Sequence, residues 1–223
     1  VVFAFFRAVD RSRASLFGRL ARQGTTLVFL SECGVRAGGD VLGFRPFVRE
    51  GAHNHRMRTE PGVPDSLISL MDSYQRRESN LSRDTGRRCS VEEHASVRVL
   101  ARYEADGLPA IVERRDSDCR RVYVCEPSGL TPGLMNRLAR ESGAYVAVDD
   151  EGLQVDMNGD FVSVHCLRPG IYEFRMPFPG RLLNLCSGLD ERVLDLGIGG
   201  FIPLNTQIGD RLLKARIISR VLD

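Results

Sequence analysis

The sequence predicts an α/β fold: an open parallel sheet over residues 1–150, followed by a small antiparallel β module over residues 151–223. Two observations carry this expectation. Strand, helix and strand succeed one another twice in the first part with short connections, the pattern of right-handed βαβ units. After Gly143 the hydrophobic period changes, and only strand-like runs separated by turn dipeptides remain.

Taken in order, Val1 to Phe6 is continuously apolar, as a strand covered on both faces would be. Asp10 is placed to cap a helix over 11–23, where Ala14, Phe17, Leu20 and Ala21 share one face and Gly24 ends it. Thr26 to Leu30 is a second buried strand. Residues 35–95 are weakly patterned, a long loop or insertion. Within them Leu67, Leu70, Met71 and Tyr74 suggest a helix near Ser66 to Arg76, and the polar, basic stretch from Arg76 to Arg88 suggests a surface loop. Val97–Tyr103 and Leu108–Arg114 read as a hairpin across Asp106-Gly107, and Arg121–Cys125 as a further strand. Thr131 and Pro132 open a helix that Gly143 closes, with Leu134, Leu138 and Ala139 on its apolar face, and Ala144–Val148 reads as the strand completing a second βαβ unit.

In the last third, Leu153–Met157 and Asp160–Leu167 flank Asn158-Gly159, a strong hairpin signal. Tyr172–Met176, Arg181–Cys186, Val193–Leu204 and Arg211–Ile218 supply the remaining strands. At 223 residues the chain can bury a substantial core. It begins at full hydrophobicity without an initiator Met, which reads as a piece of something longer.

Charge and composition exclude several classes. Thirty-one basic residues against 29 acidic ones leave a net charge of +2, unlike a dedicated nucleic-acid binder, and Lys214 is the only lysine. The apolar runs are far short of the ~20 residues of a membrane span. The expected partners therefore include neither nucleic acid nor membrane. Six cysteines without a C-x-x-C pair read as reduced, mostly buried thiols, which favours a reducing compartment such as the cytoplasm.

Few motifs survive scrutiny. Arg192 to Gly200 has the spacing of a methyltransferase glycine-rich loop, but Pro203 stands where the following helix should run, so no cofactor is expected. His53-Asn54-His55 offers two imidazoles without a third ligand, so no metal is expected. His94, beside Glu92 and Glu93, reads as a surface residue, and His165, in phase with Phe161 and Ser163, as a hydrogen-bonded core or interface residue. The adjacent acids Asp149-Asp150-Glu151 and Asp190-Glu191 mark turns. The weak catalytic candidates are Cys33 and Glu32, directly after the second buried strand, where a strand-to-helix turn can expose a nucleophile. Glu32 is bulky for such a turn, and neither a following helix nor a partner base is evident.

The order of segments resembles a known group. Gln23-Gly24-Thr25-Thr26-Leu27-Val28-Phe29-Leu30, then Val99-Leu100-Ala101-Arg102-Tyr103-Glu104-Ala105-Asp106-Gly107-Leu108-Pro109-Ala110, then Val122-Tyr123-Val124-Cys125-Glu126-Pro127 are similar to the amidotransferase-like domain of large glycoside hydrolases related to family 42 β-galactosidases. Leu138 to Val146 and Val155 to His165 continue the series into a terminal β module, with a gap over about 35–95. Ser31-Glu32-Cys33 departs from the group, which shows an aromatic-Ala-Pro turn there. The resemblance implies a flavodoxin-like, class I glutamine amidotransferase-like sheet. It also implies a non-catalytic accessory or oligomerisation role beside a parent catalytic (β/α)₈ barrel and sister subunits, for a barrel alone needs ~250 residues. Two other readings stay open here: a free-standing hydrolase using Cys33, and a small-ligand sensor using the crevice at the strand ends.

Overall fold

The computed structural model describes residues 2–4, 6–51, 56–64, 86–117, 119–148, 153–158, 161–166, 170–175, 180–184, 193–196, 201–206 and 211–219. The chain divides into two compact units, Val1–Leu138 and Ala139–Asp223. No described helix is long and apolar enough to cross a membrane.

The first unit is built on a six-stranded sheet. Its strands are β1 (Val2–Ala4), β2 (Leu27–Leu30), β4 (Met57–Thr59), β6 (Arg98–Tyr103), β7 (Pro109–Arg115) and β8 (Arg120–Val124), in the order β1-β2-β8-β7-β6-β4. Between β1 and β2 runs helix α1 (Arg11–Arg22). Asp10 caps it as expected, its carboxylate accepting the Arg13 N–H at 2.8 Å, and Gly24 follows at φ 71°. Phe17 and Ala21 turn inward, Phe17 meeting Phe29 of β2 edge-on at 5.4 Å between ring centroids.

The sheet is mixed rather than wholly parallel. Strands β1, β2 and β8 run parallel, while β8–β7, β7–β6 and β6–β4 pair antiparallel. For β7–β6 and β8–β7 the cause is connection length, since short turns cannot carry the crossover that a parallel pair requires. Asp106-Gly107 closes β6 onto β7, with the Tyr103 N–H donating to the Leu108 carbonyl, and the Asp116 N–H reaches the Cys119 carbonyl in the next turn. The supported description is a parallel-containing α/β fold.

Residues 35–95 hold more order than their patterning announces. A four-residue helix α2 (Gly39–Leu42) precedes β3 (Pro46–Glu50), which pairs antiparallel with β5 (Arg87–Val91) as a separate ribbon, while β4 lines the sheet edge. Strands of three to five residues are too short to display a period of two convincingly. The helix expected near Ser66 to Arg76, most of the basic loop after it and His53-Asn54-His55 lie outside the described residues.

Helix α3 (Pro132–Glu141) begins as expected: the Thr131 hydroxyl accepts the Leu134 N–H at 3.1 Å, and Leu134 and Leu138 are buried. Ala144–Val148 is not a strand of the sheet; of these residues only Val148 makes an isolated bridge. In the second unit β9 (Leu153–Asn158), β10 (Phe161–Cys166), β12 (Gly180–Asn184), β13 (Val193–Leu196) and β15 (Arg211–Ser219) form an antiparallel sheet in the order β13-β12-β15-β10-β9. Strands β11 (Gly170–Arg175) and β14 (Phe201–Thr206) pair by themselves. Asn158 pairs with Phe161, so the two residues between the strands are 159 and 160, one later than the Asn158-Gly159 reading.

Candidate functional site

The carboxyl ends of β1, β2 and β8 meet where the two weak catalytic candidates stand. Strand β2 is buried along its whole length between two parallel neighbours. The chain then reverses through Ser31, Glu32, Cys33 and Gly34. Ser31 has φ 57°, the single non-glycine residue in the left-handed region among those described. A left-handed residue with a side chain is strained and persists only when its surroundings fix it.

Two backbone hydrogen bonds and one shared side-chain donor fix it. The Ser31 N–H donates to the Val124 carbonyl at 2.8 Å, and the Gly34 N–H donates to the Phe6 carbonyl at 2.9 Å. Between them, the hydroxyl of Tyr123 on β8 lies 2.6 Å from the Ser31 carbonyl and 2.7 Å from the Cys33 carbonyl, so its one proton is shared across the turn. Burial, reinforced by the neighbouring thiol of Cys89, pushes the Tyr123 phenol far above its ordinary range, which keeps it a neutral donor. Gly34 is required here: at φ 75° an added Cβ would lie 2.6 Å from Leu42 Cδ1.

Cys33 is fully buried beneath this turn. The next helix in the chain is the four-residue α2, which starts at Gly39, so no long helix springs from the turn to aim its N-terminus at the thiol. Glu32 is held between two cations, its carboxylate 2.6 Å from Arg7 Nε and 3.8 Å from Arg87 Nη2. That pairing makes it a tether between the β1 end, the turn and β5. Cys125, which follows β8, is enclosed, and burial, with Cys89 beside it, pushes its thiol well above the ordinary range. Cys33, Cys89, Cys119 and Cys125 are all free thiols and all buried.

The other candidates fall elsewhere. His94 is exposed, with Nδ1 2.9 Å from the Ser96 hydroxyl. Its neighbour Glu93 turns instead to Arg102, which grips both carboxylate oxygens at 2.6 and 2.7 Å and holds that carboxyl below its usual range. His165 lies on β10 opposite Gln154. Among the described residues no group of three His, Cys, Asp or Glu side chains is arranged to hold a metal ion. Residues 193–196 of the glycine-rich motif form β13, antiparallel to β12, and Pro203 sits in β14 opposite Glu173. A methyltransferase loop needs a parallel strand and a helix at these places.

Sequence reasoning passed over Tyr123, the residue that organises the turn. The signal was present: a tyrosine inside the apolar run Val122-Tyr123-Val124 carries a hydroxyl that must find a partner once buried. It also passed over Glu113, almost wholly buried on β7 and enclosed by Arg98, Arg115 and Arg120. Arg88 is another such case, stacked 4.2 Å over the Tyr103 ring and paired with Asp106.

No protein-family model matches the sequence, and no curated protein matches it. Solved structures do. The β-galactosidase from Bacillus circulans sp. alkalophilus superimposes with a TM-score of 0.58 at 16% identity, over 96% of this chain and 32% of that one. The cold-adapted β-galactosidase from Rahnella sp. R3 gives 0.52 at 15%, over 93% and 32%. A GH42 β-galactosidase from G. stearothermophilus gives 0.50 at 12%, over 96% and 31%. Identities this low speak for the fold alone: this chain shares the fold of a segment that makes up about a third of these β-galactosidase chains.

Proposed function

We propose that the chain is a non-catalytic accessory module of a glycoside hydrolase of the β-galactosidase type, whose catalytic barrel is carried by other residues. The observation that carries this reading is the asymmetry of the likeness, nearly all of this chain against a third of a β-galactosidase chain. The segment series noted in the sequence supports the finer reading of an amidotransferase-like first unit and a small β domain. The first unit departs from an open parallel, flavodoxin-like sheet by its antiparallel strands β7, β6 and β4.

The chemistry of the strand ends supports the non-catalytic part. A nucleophile must reach its substrate as a thiolate or activated hydroxyl with a base in contact. Cys33 is buried, Glu32 is tied to Arg7 and Arg87, and Tyr123 spends its proton on two backbone carbonyls. The Glu32 carboxylate and the Tyr123 hydroxyl are both used to hold the turn. On this reading the module packs on its parent barrel and on sister subunits, and hydrolyses nothing itself. Incubating the purified chain with nitrophenyl β-galactoside and with glutamine tests it. The expected result is no turnover of either; turnover that Cys33→Ala abolishes without unfolding the chain overturns the reading.

A further inference from the structure

Helix α1 presents an arginine-bearing face that is exposed among the described residues. At about 100° per residue, Arg11, Ser15, Arg19 and Arg22 fall within one sector of roughly 80°, opposite the buried Phe17 and Ala21. All four are exposed. The helix contains no acidic residue. Among the described residues no carboxylate stands within ion-pair distance of Arg11, Arg19 or Arg22.

This contrasts with the arginines around it. Arg7, Arg49, Arg88, Arg102, Arg114 and Arg120 each meet a carboxylate of the same unit. In a chain that nearly balances its charges, with a net +2, the α1 face is where arginines concentrate without counter-charges among the described residues. A guanidinium offers a planar fork of donors that fits a carboxylate with two parallel bonds, the geometry Arg102 already uses on Glu93.

We propose that this face of α1 docks a carboxylate-rich protein surface. The stripe carries no aromatic ring on which bases could stack, and the chain lacks the basic excess of a nucleic-acid binder, so a carboxylate partner fits it better than RNA. The inference goes beyond the accessory-module reading and stands without it, because it rests on the charge pattern of one helix.

The test uses the full chain and two polyanions, poly-L-glutamate and poly-uridylate, with binding followed by fluorescence anisotropy at low ionic strength. The wild type should bind poly-L-glutamate more tightly than poly-uridylate, and added salt should weaken that binding. An exposed Arg–carboxylate pair is worth about a factor of two to three, so Arg11→Gln/Arg19→Gln/Arg22→Gln should lose about tenfold in affinity. Arg36→Gln/Arg58→Gln, which removes two exposed arginines off this face, should bind as the wild type does. Circular dichroism confirms that both variants are folded. The proposal is overturned if the wild type fails to bind poly-L-glutamate, if the triple variant binds it unchanged, if the control variant loses as much, or if poly-uridylate binds more tightly through the same arginines.

Discussion

Replacing Tyr123 with phenylalanine removes one oxygen from the centre of the first unit and leaves the ring in place. Tyr123 is fully buried; its ring packs against Phe29 at 6.5 Å and edge-on against Phe44 at 5.6 Å, so the loss of shape is small. The loss of hydrogen bonding is not. The hydroxyl serves the Ser31 and Cys33 carbonyls together, and the Cys33 carbonyl belongs to a fully buried residue. A hydrogen bond is worth about 1 kcal/mol net, and a buried acceptor left without a donor costs about 1–3 kcal/mol. Ser31 adds to this, because its left-handed backbone needs outside restraint. Tyr123→Phe should therefore destabilise the unit by about 2–3 kcal/mol. For a chain of this size each kcal/mol lowers Tm by about 2–4 °C, giving a fall of roughly 4–12 °C. Thermal unfolding by circular dichroism measures the shift, and amide hydrogen exchange localises it, with the Ser31 and Gly34 amides losing protection first. An unchanged Tm together with unchanged protection at those amides would refute the clamp.

Three further outcomes follow from the same packing. Gly34→Ala should cost about 2–4 kcal/mol in denaturant unfolding, because the new methyl would stand 2.6 Å from Leu42 Cδ1 in a left-handed backbone; an unchanged midpoint would contradict it. Glu113→Gln leaves Arg120, nine-tenths buried, facing a neutral amide, and should cost about 3–5 kcal/mol, whereas a loss below ~1 kcal/mol would mean that the enclosed carboxylate is dispensable. Glu93 is held below its usual range chiefly by its hydrogen bonds from Arg102, so its contribution is fully present above about pH 4.5 and is lost as the pH falls through the depressed native value. Arg102→Gln should flatten that acid limb of the stability curve, and an identical limb in both proteins would sink the assignment.

The elements with strong local chemistry could be read from the sequence. Asp10 and Gly24 bracket α1, Thr131 and Pro132 open α3, and Asp106-Gly107 turns β6 into β7, because each of these residue types has one dominant backbone use. The mixed pairing of the sheet followed from the same hairpin, yet the βαβ pattern drew the reading toward a parallel sheet. Ala144–Val148 misled because an apolar run of five residues looks like a strand wherever it lies; pairing partners decide, and those are tertiary. At the strand ends the sequence located the turn and its two weak candidates, Glu32 and Cys33. What it could not show is that the turn is strained at Ser31 and tied from β8, a contact between residues 92 positions apart. Local pattern carries no information about such a pair.

The central claim is that this fold serves a catalytic domain and is not one. The most direct test is the coding sequence that carries these residues, read together with the mass of the mature protein. The account predicts a (β/α)₈ barrel of about 250 residues in the same reading frame ahead of Val1, with two carboxylates at the ends of its strands, and a mature mass that includes it. A mature protein that consists of these residues alone, with no barrel in frame, would contradict it.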